Sequence, residues 1–91
     1  MTYLEFREQE EEVKDAAQSR FQQHSDDEFL FKYFWFGVEF RAVGRDFESC
    51  PFNSGKVRGA FLAGMEWFDN YNGGNDQISP ERIAGLSEIG N

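Results

Sequence analysis

Cysteine, histidine and proline are all scarce in this chain of 91 residues, which holds one Cys, one His and two Pro. One cysteine, Cys50, excludes an intrachain disulfide framework and a cysteine-based zinc site, both of which need several thiols. Two prolines and no low-complexity tract exclude collagen-like and linker proteins. Basic residues are few as well, nine Lys and Arg against 17 Asp and Glu, for a net charge of −8. Such a balance disfavours free binding to DNA or RNA, because phosphates repel it and counterion release needs Lys and Arg. No apolar run approaches the ~18 residues of a membrane span. The opening MTYLEFREQEEEV has neither a basic n-region nor an apolar h-region, so no secretory signal is read. A reduced, cytoplasmic setting without a membrane partner is the expectation. A phosphate-cradling glycine loop is also missing: Gly55-Lys56 lacks the upstream glycine, and Val57 stands where Ser or Thr is needed.

Aromatic side chains are abundant instead, with eleven Phe, three Tyr and two Trp. They exclude a wholly disordered acidic tail, and the length allows one hydrophobic core. The acidity is segregated. Residues 1–30 hold nine acids against three bases, hence −6. Residues 31–71 hold five of each, hence 0, and residues 72–91 hold three acids against one base, hence −2. A neutral, aromatic middle therefore carries acidic flanks, which suits a partner with a basic surface. The competing reading of Glu8, Glu11, Glu12 and Asp15 is a solvated helix face.

The periodicity predicts an all-α chain: a hairpin of two antiparallel helices, an acidic helix before it and a short helix after it. Thr2-x-x-Glu5 has capping-box spacing and starts the first helix, over residues 1–24. Phe6, Val13, Ala17, Phe21 and His24 form its thin apolar stripe. Ser25-x-x-Glu28 repeats the cap spacing and opens the hairpin unit, residues 25–72. Phe29 to Val43 is apolar on nearly every side, with Phe29, Tyr33, Phe36, Phe40 and Val43 along one face. A strand is the competing reading of so aromatic a run; its length, the preceding cap and Gly44 as a C′ residue favour helix. Gly37 inside the run fits close approach of another backbone. Residues 44–53 read as a loop, Ser54 as the cap of a helix to about Tyr71, and Val57, Phe61, Gly64, Met65 and Phe68 as its inner face. Gly59, Ala60, Ala63 and Gly64 permit tight helix contact. The tail, residues 73–91, holds Ser79-Pro80 as a helix start, with Ile83, Leu86 and Ile89 as a weak apolar edge. Two short helices cannot hide this much aromatic surface, so an exposed apolar patch is expected, covered by a partner or by a second copy.

Chemistry-bearing groups are isolated. A Cys50 nucleophile needs a base within hydrogen-bond reach, and nothing in the sequence places His24 there. The neighbouring acids Glu10/Glu11 and Asp26/Asp27 point apart on a helix or at a cap. No catalytic residue, cofactor or metal site is therefore read.

One stretch, residues 37–64, GVEFRAVGRDFESCPFNSGKVRGAFLAG, resembles the ribosome modulation factor family. Gly37, Gly44, Arg45, Cys50, Pro51, Phe52, Arg58, Leu62 and Gly64 fall in register with the family pattern, without a gap. The likeness spans about a third of the chain. It implies a small helical hairpin that acts by binding rather than turnover, against the small ribosomal subunit, its RNA and its proteins. It also implies Arg45 and Arg58 as contacts, with Lys32, Arg41 and Lys56 as the other cations available to ribosomal RNA. The glycines and the Cys-Pro-Phe corner read as architecture: turn, close approach and aromatic packing. The family is basic, whereas this chain is acidic.

Three functional expectations follow. The first is a non-catalytic protein that modulates or inhibits a ribosomal or other nucleoprotein target through its acidic helix, in the manner of phage-encoded inhibitors. The second is ribosome hibernation by direct contact of Lys32, Arg41, Arg45, Lys56 and Arg58 with ribosomal RNA. The third, implied by drug-modifying relatives of the family, is a small drug- or nucleotide-modifying enzyme.

Overall fold

The computed structural model describes residues 1–53 and 55–87. Within them the chain is all-α: α1 (Tyr3–Glu8), α2 (Glu10–Gln22), α3 (Glu28–Ala42), α4 (Gly55–Asn72) and α5 (Pro80–Ser87). Ser54, Glu88 and Ile89 lie outside the described residues, and with them the expected cap of α4 and part of the expected apolar edge of α5.

Local chemistry sets most helix ends. The Thr2 hydroxyl accepts from the Glu5 amide at 3.2 Å, and the Glu5 carboxylate accepts from the Thr2 amide at 2.8 Å, completing the capping box. The single acidic helix expected over residues 1–24 is interrupted, however. Gln9 ends α1 and precedes α2 with φ −107° and ψ 18°, outside helical geometry. The cap of α3 also differs from expectation. Asp27 performs it, accepting from the amides of Phe29 and Leu30, while the Ser25 hydroxyl accepts from Asp27 N–H. A carboxylate is the better acceptor at the positive end of a helix. At the far end Gly44 takes φ +100°. Its N–H bonds to Arg41 O and that of Arg45 to Phe40 O, which is a Schellman stop. The segment read as a loop holds one 3₁₀ turn, Phe47–Ser49.

Packing decides which side of α3 turns inward. Of the stripe Phe29, Tyr33, Phe36, Phe40 and Val43, Phe29 is 59% exposed, Val43 57% and Phe36 40%, while Tyr33 and Phe40 are half-buried against the core clusters. The buried face is Leu30, Phe34, Gly37 and Val38, with Trp35 beside it. On α4 the expected face is buried at Phe61, Gly64, Met65 and Phe68, and Val57 is half-buried.

α3 and α4 touch backbone to backbone. A methyl group on Gly37 would collide with the carbonyl oxygen of Phe61, and one on Gly64 with that of Phe34. Gly59 likewise meets Gly85 of α5. The small residues of α4 therefore serve contacts within the chain, since Ala60 and Ala63 are also fully buried. They are not left free for a second copy.

One core draws on all three predicted segments: Phe6, Val13, Ala17 and Phe21 from the acidic helices, Phe34 and Trp67 from the central pair, and Ile78 and Leu86 from the tail. Phe6 stacks on Trp35 at 5.8 Å and meets Phe68 edge-on at 5.5 Å. A smaller cluster of Phe61, Leu62 and Met65 lies under the loop residues Phe47, Cys50 and Phe52.

Candidate docking face

The acidic residues singled out from sequence lie on α1 and α2. The burial of Val13, Ala17 and Phe21 dictates that Glu11, Glu12 and Asp15 face outward, and Glu8 is exposed just before the break at Gln9. None of these four carboxylates has an ion-pair or hydrogen-bond partner among the described residues. Other acids are engaged within the fold. Asp69 takes Arg41 at 2.8 Å, Asp76 takes Arg20 at 3.0 Å, and Glu66 accepts from the amide and hydroxyl of Ser79.

The cations expected to meet RNA separate into two groups. Arg41 is committed inside the molecule: besides Asp69 it donates to the Arg45 carbonyl at 2.7 Å and lies 5.3 Å from the Phe47 ring centre. Arg58 donates to the Phe52 carbonyl at 3.2 Å. Their positions are those of structural ties across the loop. Lys32 and Lys56 are exposed, and exposed Arg45 lies 5.8 Å from the Phe40 ring centre.

The motif residues assemble around the same loop. Phe52 sits edge-on to both Tyr33 at 5.4 Å and Phe61 at 5.3 Å. Its carbonyl accepts from the Cys50 thiol at 3.6 Å as well as from Arg58. Pro51 is exposed and Leu62 is buried in the cluster beneath.

Along α3, Phe29 meets Tyr33 at 5.2 Å and Tyr33 meets Phe36 at 5.7 Å. Half-buried Glu39 on α3 titrates above the ordinary carboxylate value: burial raises it first and the Glu10 charge second, against opposing pulls from Arg7 and Lys14. The placement of Lys14 over the Trp35 ring, at 5.6 Å, is a contact that sequence reasoning missed. Its only signal was adjacency to the buried Val13.

Among the described residues no group of three or more His, Cys, Asp or Glu could hold a metal, and no helix is long and apolar enough to cross a membrane. No protein-family model matches the chain, and neither a curated protein nor a solved structure matches it.

Proposed function

We propose that the chain is a non-catalytic, cytoplasmic binding module that modulates or inhibits a macromolecular target with a basic surface. The observation that carries this reading is the set Glu8, Glu11, Glu12 and Asp15, exposed and without an ion-pair partner among the described residues. Four carboxylates held on a folded scaffold repel one another until a cationic surface neutralises them. Phe29 and Phe36, exposed on α3, offer an apolar contact as well. The resemblance over residues 37–64 supports ribosomal or other nucleoprotein machinery as the target class. Direct reading of ribosomal RNA draws less support, because Arg41 and Arg58 already bond within the chain.

The test is retention of partners from a bacterial lysate on the immobilised chain, compared at low and high salt by mass spectrometry. The expected result is a basic protein or ribonucleoprotein held at low salt and released at high salt. Retention of no macromolecule at low salt overturns the reading. Sucrose-gradient profiles with excess protein address the RNA alternative, for which an unchanged profile is the adverse result.

A further inference from the structure

Among the described residues, exposed large apolar side chains fall in two places, the first four residues and one row on α3 made by Phe29, Phe36 and Val43. Members of that row are seven residues apart. On a helix such positions line up along one side, which is the geometry of a helix–helix seam. One flank of the row is closed off, because Tyr33 and Phe40 lie edge-on to Phe52 and Phe61. The other flank holds Lys32 and Glu39, also seven apart, and neither has an ion-pair partner among the described residues. Glu39 feels Glu10, Arg7 and Lys14 of the acidic helices, so a further cation beside it offsets the Glu10 charge. The two ends of α3 differ in charge. Asp26, Asp27 and Glu28 are exposed at its start, with Asp27 engaged by the amides of Phe29 and Leu30. Past its end Arg45 is exposed and without an ion pair, while Asp46 is held by Arg41 at 3.9 Å.

We propose that two copies of the chain pair along α3, antiparallel, about a two-fold axis at Phe36. In that arrangement Phe36 meets the partner's Phe36, and Phe29 meets the partner's Val43. A two-fold axis sets like flanks of antiparallel helices side by side. Lys32 therefore falls opposite the partner's Glu39, and Glu39 opposite the partner's Lys32, so one ion pair is made twice. The acidic start of each α3 comes toward the partner's Arg45, and the two helix dipoles oppose one another. A parallel pair sets Lys32 and Glu39 against Tyr33 and Phe40 and forms neither ion pair. The net charge of −8 on each copy opposes approach, but at physiological ionic strength it is screened beyond about 8 Å. The contact uses none of Glu8, Glu11, Glu12 or Asp15, so its failure leaves the docking reading untouched.

The test is sedimentation equilibrium of the full chain at physiological salt. One helix against its copy is a small interface, so the chain is expected to be single at about 5 µM and mostly paired at about 500 µM. Lys32→Glu, at an exposed position, sets like charges opposite one another and weakens the pairing about tenfold. Glu39→Lys does the same. An equimolar mixture of these two variants regains the parent's pairing, because each supplies the charge that the other lacks. Phe36→Ser abolishes the pairing and keeps the helical circular dichroism of the chain. A parent that stays single at the higher concentration, a Lys32→Glu variant that pairs as the parent does, or charge variants that fail to pair with each other overturns the proposal.

Discussion

Gly64 shows how much a single hydrogen atom decides in this molecule. The carbonyl of Phe34 occupies the space that a side chain at Gly64 would need. Alanine is the better helix former by about 1 kcal/mol, yet here it forces two backbones apart. Gly64→Ala is expected to lower unfolding free energy by about 3 kcal/mol, at the upper end of overpacking costs, as read by urea denaturation. Glu39 makes a pH-dependent contribution of known sign. Its carboxyl is raised above the ordinary value of 4.5 in the folded chain, by burial first. The folded state therefore holds that proton more tightly than the unfolded state, and stability falls as pH rises through the raised value. Glu39→Gln removes this loss. Its melting temperature exceeds that of the parent at neutral pH, and the difference vanishes below 4.5, where both states are protonated. Glu5 works in the opposite sense, its carboxyl lowered by the amide and hydroxyl of Thr2, so its contribution disappears only under acid conditions.

Among the elements, α5 depends on one carboxylate. Glu66 of α4 accepts from the Ser79 amide at 2.6 Å and from its hydroxyl at 3.1 Å, and lies 3.5 Å from Arg82. Glu66→Ala leaves the start of α5 without that acceptor. A loss of about 1–3 kcal/mol is expected, together with faster amide exchange over residues 80–87 while α3 and α4 stay protected. Helix ends were largely legible in the sequence because they are written in local chemistry, as at Thr2, Gly44 and Pro80. The break at Gln9 was not, for no Pro or Gly marks it. The register of α3 was hidden for a different reason. A run such as FLFKYFWF is apolar around its whole circumference, so periodicity has no preferred direction. The inward face is chosen by the two close approaches of α4, at Gly37 and at the Phe34 carbonyl opposite Gly64. Of the candidate site, the acidic set was readable as composition. The engagement of Arg41 and Arg58 was not, because their partners Asp69 and the Phe52 carbonyl depend on the folded loop.

At the scale of the whole molecule, charge and apolar surface divide the labour. The interior joins the acidic helices, the central pair and the tail through Phe6, Phe34, Trp67 and Leu86, so the acidic segment is built into the core rather than appended to it. Its carboxylates are thereby displayed on a rigid surface. A pliant acidic tail would have to be ordered on binding, whereas this face loses little freedom. The measurement that bears most directly on this account compares the parent with a Glu8→Gln, Glu11→Gln, Glu12→Gln and Asp15→Asn quadruple variant, captured side by side from the same lysate at low salt. None of the four side chains supports the core, so the variant is expected to melt at or above the temperature of the parent. It is predicted to lose the basic partner that the parent retains; equal retention by both proteins contradicts the account.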